Sequence, residues 1–231
     1  MLYLLEKLLG QLSDIQQKLP ENSGMPKRFY ARVNTIKKVL KQQQELFSGY
    51  NVKDRIVSIS KSYIRPIVRG KETKRVEFGA KANIIQIDQI DFIEHIDFEA
   101  FNEGTRLVSS IRFAQELVHT KIKYLSADAI YATNSNRKYC SITNIKTGFV
   151  RKGRAGKEEA NLKQVRKSIN IKRATEMEGA FGKHKNHYGL NRVKARTKKT
   201  ELLWIFFGIR TGNAVEIGKR IKKAVESSQR A

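Results

Sequence analysis

The chain has 231 residues, enough for one sizeable hydrophobic core with an appended helical arm. Its 40% hydrophobic and 9% aromatic content excludes a disordered basic tail. Its 46 Lys and Arg against 22 Asp and Glu, +24 overall, call for a polyanionic partner: nucleic acid first, an acidic membrane surface second. A single cysteine, Cys140, excludes an internal disulfide and fits a reducing compartment, with a small buried residue the expected role. The longest apolar run, 202–209, is too short to span a bilayer, so no membrane partner is expected. MLYLLEKLLGQL lacks a basic leader before its apolar residues. The expected location is cytoplasmic, associated with the nucleoid.

Leu2, Leu5, Leu8, Leu9, Leu12, Ile15 and Leu19 recur at spacings of three and four, which predicts an amphipathic helix over 1–19. Pro20 ends it, and PENSGMP (20–26) reads as a hinge. A second helix is expected over about 29–47, with Val33, Ile36, Val39, Leu40 and Phe47 on its apolar side, until SGYN breaks it. From Asp54 the period shifts towards two. RIVSIS (55–60), then YIRPIVRGK turning around Pro66, then VEFGAKANIIQI (76–87) read as extended segments. After a turn at Asp88-Gln89, DFIEHIDF returns as another strand, and short connections suggest an antiparallel meander. This region is acidic for the chain, with no Lys or Arg between Lys81 and Arg106.

A helix is expected over 104–120, burying Leu107, Ile111, Leu117 and Val118. KIKYLSA (121–127) looks like a buried strand, with Asp128 just past its carboxyl end, where ligands of open α/β sheets gather. GFVRKGRAGKEE reads as a strand entering a basic loop. Residues 151–200 then hold 16 Lys or Arg against 4 Glu, net +12, half the excess charge in about a fifth of the length. His187 and Tyr188 interleave with these cations, as suits contacts to a nucleic-acid backbone and its bases. The segment EMEGAFGKHKNHYGL (176–190) reads as a helix in which Glu178 and Lys185, seven residues apart, share one face roughly 10 Å apart. There a carboxylate can hold a divalent cation while a lysine meets a phosphate. A last amphipathic helix is expected over about 200–225.

The order strand, strand, strand, helix, strand with Asp128, helix, strand and late helix with Glu178 is that of RNase H-like nucleotidyl-transfer folds. The wording of several segments goes further. ADAIYATNSNRKYC (127–140) resembles the segment carrying the second catalytic aspartate of bacterial insertion-sequence transposases of the DDE class. EGAFGKHKNHYGL resembles their third-carboxylate segment. DRIVSISKSYIRPIVRGKETKRVEFGAK, FNEG (101–104) and KARTKKTELLWIFFGI (194–209) are similar to them as well, so the likeness runs from about 40 to 220.

The resemblance implies an α/β fold with an RNase H-like mixed sheet, an antiparallel three-strand meander plus parallel strands, flanked by helices. It divides the chain into a helical arm, or the remnant of a longer amino-terminal region, at 1–50, and a catalytic domain at 51–231. It implies a transposase that cuts and joins DNA with bound Mg²⁺ or Mn²⁺, two ions on three carboxylates. Asp128 matches the second carboxylate, Glu178 the third and Lys185 the basic residue after it. By topology the first carboxylate is Asp54, with Asp88 and Asp91 as competitors on a later strand turn. DNA contacts are expected from Arg151, Lys152, Arg154, Arg173, Lys183, Lys185, Arg192, Lys194, Arg196 and Lys198. The implied partners are double-stranded DNA, as element ends and target, and a second copy of the chain on it. The rival readings are a truncated, catalytically silent transposase that binds DNA or a full-length partner, an RNase H-like nuclease unrelated to mobile elements, and an RNA-binding protein.

Overall fold

In the computed structural model, which describes residues 2–20, 24–68, 76–156 and 159–229, the chain divides into two units. The first comprises Met1–Ala80, Phe98–Ala100 and Arg196–Lys198. Its helices α1 (Leu2–Lys18) and α2 (Lys27–Phe47) bear out the two expected amphipathic helices, while part of the expected hinge, 21–23, lies outside the described residues. Gln44 near the end of α2 donates to Glu6 near the start of α1, so the helices run antiparallel. Helix α2 buries Val33 and Leu40 but leaves Phe47, expected on its apolar side, 86% exposed. Gly49, at φ +84, turns the chain out of α2 at the expected SGYN break.

The next segment departs from expectation. RIVSIS is not a strand: Asp54 sits in a turn at φ 53, and the side chain of Gln42 pins the loop. Gln42 donates to the Asp54 carbonyl at 3.3 Å and accepts from the Ile56 N–H at 2.9 Å. A side chain thus satisfies backbone groups that a ladder would otherwise take. Strand β1 (Pro66–Val68) pairs antiparallel with β2 (Val76–Phe78), Ile67 opposite Glu77, while 69–71, the end of YIRPIVRGK, lie outside the described residues. VEFGAKANIIQI is not continuous: Gly79, at φ +117, breaks it after β2.

The second unit comprises Lys81–Asp97, Phe101–Ala195 and Lys199–Ala231. It opens with a hairpin of β3 (Lys81–Ile87) and β4 (Ile90–Asp97). The expected turn at Asp88-Gln89 joins them, with φ of 48 and 61, the paired left-handed conformation of a two-residue hairpin turn. Because β1–β2 and β3–β4 pair separately, the three-strand meander expected from the alternation does not form one sheet among the described residues.

A 3₁₀ turn (Glu103–Arg106) leads into α3 (Leu107–Val118), which buries Leu107 and Ile111 as expected but leaves Leu117 39% exposed. Strand β5 is only Tyr124–Leu125, shorter than expected from KIKYLSA. A 3₁₀ turn (Ala129–Tyr131) and α4 (Asn134–Ile142) then return the chain to β6 (Lys146–Thr147), parallel to β5. GFVRKGRAGKEE forms no strand over its described residues, since β6 ends before it. Leu107, Ile111, Cys140, Ile145 and Phe149 form the core of this region, each worth roughly 1.5–3 kcal/mol on burial for the larger side chains. Cys140 is a core residue, and burial pushes its thiol pKa up. Two long helices, α5 (Glu159–His187) and α6 (Lys198–Ser228), complete the order. The chain is therefore a mixed α/β protein with small sheets. Among the described residues no helix is long and apolar enough to cross a membrane.

Candidate active site

Asp128 stands three residues beyond β5, at the head of the 129–131 turn, where its carbonyl accepts from the Tyr131 N–H at 3.0 Å. The loop is held from behind by buried polar groups. The Asn136 amide donates to the carbonyls of Gly104 at 2.6 Å and Tyr131 at 2.8 Å. The Tyr131 hydroxyl donates to Asn83 Oδ1 at 2.5 Å, and Asn83 in turn donates to Glu94 at 2.7 Å and Ser110 at 3.0 Å. Burial raises the Tyr131 pKa well above the usual tyrosine range, with the carboxylates of Glu103, Asp128 and Glu94 adding to it, so the phenol stays a donor. The glycine of FNEG has a local reason: a Cβ on Gly104 would lie 2.7 Å from the Ile130 carbonyl oxygen.

Helix α5 is docked on this loop through Asn170. Its amide donates to the Gly148 carbonyl at 2.9 Å and its oxygen accepts from the Ser126 hydroxyl at 3.0 Å. Asn170 thus touches the segments following both β5 and β6, and the next turn of α5 presents Arg173 to Asp128. Gly148 is a glycine because a Cβ there would lie 2.1 Å from Asn170 Oδ1. Gly148→Ala is expected to dislodge that amide and cost about 1–3 kcal/mol in urea unfolding. A loss below 0.5 kcal/mol, on that order of magnitude, would show that α5 is not docked through this contact.

The Arg173 guanidinium reaches two carboxylates. It pairs with Asp128 and also with Glu178, one helical turn and a half further on, at 3.5 Å. Both acid side chains are 61% exposed and Arg173 24%. At that exposure the pairs contribute on the order of 0–1 kcal/mol each, so the cluster is not a stability device. Asp128 and Glu178, expected at one site, are brought together, with a cation between them. Arg173, expected on DNA, is engaged with both. The donor set suits a hard divalent cation: carboxylate oxygens, accessible to solvent, with one resident positive charge. Asp128 and Glu178 are acids that could hold a divalent cation. Among the described residues no group of three or more His, Cys, Asp or Glu is arranged to hold a metal ion.

Three acids are candidates for a third carboxylate. Asp54 belongs to the first unit, exposed in its left-handed turn. Asp88, at the tip of the β3–β4 hairpin, pairs with Arg220 at 2.8 Å. Asp91 is 2% exposed and accepts from Gln86 at 2.9 Å and from His184 Nε2 at 2.6 Å. Asn213 of α6 completes that cluster, donating to the Asp91 carbonyl at 2.7 Å and accepting its N–H at 2.9 Å.

His184, Asn213 and Asn170 were not legible as positioning residues. The only signal was a histidine six residues after Glu178 among exposed lysines, which reads as surface until its 4% exposure is known. Of the expected DNA contacts in this unit, Lys152, Arg154, Lys183, Lys185, Arg192 and Lys194 are exposed. Lys152 also donates to Asn134 at 3.0 Å, and Arg151 is drawn to Glu159 at 3.5 Å. Arg196 and Lys198 belong to the first unit, where Lys198 lies 5.4 Å from the centre of the Phe98 ring.

Residues 125–209 match the protein family described as a transposase DDE domain. That segment holds Asp128, Arg173, Glu178 and Lys185, and the match supports the resemblance to DDE-class transposases drawn from the sequence. It points to an enzyme acting on DNA. No curated protein and no solved structure matches the chain.

Proposed function

We propose that the chain is the catalytic part of an insertion-sequence transposase that cleaves and joins DNA strands, with Asp128 and Glu178 as metal ligands. One observation carries the reading: two acids 50 residues apart in the chain, each expected at the site, meet on the same guanidinium. The order β5, Asp128, α4, parallel β6 and Glu178 helix supports an RNase H-like ancestry for the site.

When bound, Mg²⁺ or Mn²⁺ would lower the pKa of the attacking hydroxyl and stabilise the leaving oxygen of an in-line displacement. The chain's own residues prepare that site. Asn170 and the 126–131 loop set the approach of Asp128 to α5, and Arg173 neutralises the two acids, leaving them net −1 together. Lys185, about 10 Å from Glu178 along the helix, binds a neighbouring phosphate of the same strand. A second copy of the chain holds the other element end.

The decisive assay is nicking of supercoiled plasmid by the purified chain with Mn²⁺, with Mg²⁺ and with chelator. Metal-dependent nicking is the expected result. DNA binding with no nicking under any condition would leave the silent-remnant reading in its place. The affinity itself should be electrostatic. If the six exposed cations among the expected DNA contacts of the second unit each meet a phosphate, log K against log salt falls with a slope of about −5, roughly 10³-fold between 50 and 200 mM. Lys185→Ala should make that slope shallower by about 0.9 in fluorescence anisotropy, and an unchanged slope would remove Lys185 from the interface.

A further inference from the structure

We infer that α1 carries a contact between two copies of the chain, in which its exposed stripe of Leu4, Leu8, Gln11 and Ile15 meets the same stripe of a second copy lying antiparallel. The contact stands on the helical arm alone and does not depend on the chemistry at Asp128. Leu2, Leu5, Leu9, Leu12 and Gln16 are the half-buried residues of α1; they share one side of the helix, and α2 is the helix packed on it. No residue of α1 is fully buried. The second stripe recurs at spacings of four, three and four, about 110° around the helix from the first. Leu4, Leu8 and Ile15 are 57%, 52% and 57% exposed. Together the two stripes span more than the ~100° arc that one packed neighbour requires. One neighbour, α2, leaves the second stripe open.

Charge selects the occupant. α1 holds Glu6 and Asp14 against Lys7 and Lys18, net zero in a chain of +24, whereas α2 holds six Lys or Arg against Glu45 alone. The overall excess drives copies apart, and α1 is a surface on which they can approach. A DNA phosphate or an anionic lipid surface finds no excess of cations on it. Lys7 and Asp14, both exposed, immediately precede Leu8 and Ile15 and so flank the stripe on one side. When two such helices run antiparallel about a twofold axis, Lys7 of each copy faces Asp14 of the other, twice over. The same register sets Leu4 beside Ile15 of the second copy and Leu8 beside its Gln11. A parallel pair would instead set both charges against the half-buried flank of Leu5 and Leu12. The complement of this pattern is the pattern itself read in reverse, which is a second copy.

The experiment is sedimentation of the full chain without DNA. One helix pair is smaller than a standard interface, so micromolar affinity is expected and the range runs from about 5 to 200 μM. The parent should show a reversible monomer–dimer equilibrium. Lys7→Glu and Asp14→Lys each turn two attractions into two repulsions, and each should raise the dimer Kd roughly 10–100-fold. An equal mixture of the two variants should dimerise like the parent, because each then meets its opposite charge. The double variant Lys7→Glu/Asp14→Lys should also recover. Both residues are exposed, so helix content in circular dichroism should not change.

A parent that stays monomeric over this range would overturn the inference. So would a dimer that both single variants form as well as the parent, or a loss that neither the mixture nor the double variant repairs. The transposase reading fails separately: a chain that dimerises in this way yet neither binds nor nicks DNA would sink that reading and leave the contact in place.

Discussion

Asp128→Asn and Glu178→Gln should each reduce metal-dependent plasmid nicking by on the order of 10³-fold or more, about 4 kcal/mol of transition-state stabilisation. Each substitution keeps size and shape and removes only the anionic charge that a hard cation requires. Both side chains are 61% exposed, so neither replacement opens a cavity or strands a buried charge. The thermal midpoint should therefore stay within a few degrees of the parent. DNA affinity should hold or rise slightly, because each variant removes a negative charge from the surface proposed to meet phosphate. A variant that nicks at parental rate would exclude its residue from the chemistry. A joint loss of nicking and DNA binding would indicate a misplaced α5 rather than a missing metal ligand.

The largest stability effect should come from a residue outside the chemistry. His184→Ala is expected to cost about 3–5 kcal/mol, because it leaves the Asp91 carboxylate buried with Gln86 as its remaining described side-chain donor. For a chain of this size that corresponds to a fall of roughly 6–20 °C in thermal midpoint. The His184 ring offers one donor, Nε2, to Asp91, while its Nδ1 is buried with no hydrogen-bond partner among the described residues. Asn213→Ala attacks the same cluster from α6 and strands the Asp91 N–H and carbonyl, at about 1–3 kcal/mol for each orphaned group. Since both variants strip the same residue, the double variant should cost less than the sum of the two. Urea unfolding of the four proteins tests this. A His184→Ala loss under about 1 kcal/mol would mean that the buried pair contributes nothing beyond a surface contact.

What was legible in the sequence was local. The Asp88-Gln89 turn, the helical periodicity of α1 and α2, and the Glu178–Lys185 spacing each depend on neighbours a few residues away. Asp128 was legible through the apolar run before it, even though β5 itself is only two residues long. The strand alternation misled where one residue changed the backbone: Gly79 cuts VEFGAKANIIQI, and Gln42 replaces the ladder expected for RIVSIS. What stayed hidden is held by distant partners. Asp91 meets His184 across 93 positions and Asn213 across 122, and Asn170 meets Ser126 across 44. No periodicity carries such pairs, and asparagines and histidines among lysines carry no sign of burial. The meeting of Asp128 and Glu178 on Arg173 was half legible: the acids were expected at one site, the cation between them was expected on DNA.

Asn170 and His184 lie 14 residues apart on α5, about 21 Å of helix and close to four full turns, so their side chains leave it on nearly the same side. Mechanically, α5 is a beam supported near its midpoint and near its carboxyl end, with Glu178 in the middle of the span between the two supports. Such a beam is stiffer at its centre than one clamped at a single end, and Glu178 cannot be carried towards or away from Asp128 without releasing a support. Adjustment of the carboxylate separation falls instead to the 126–131 loop and to the side-chain torsions of Glu178. The backbone compliance of the site thus resides on the aspartate side, and changes to Asn136 or Tyr131, which brace that loop, would tune it while the long helix stays still.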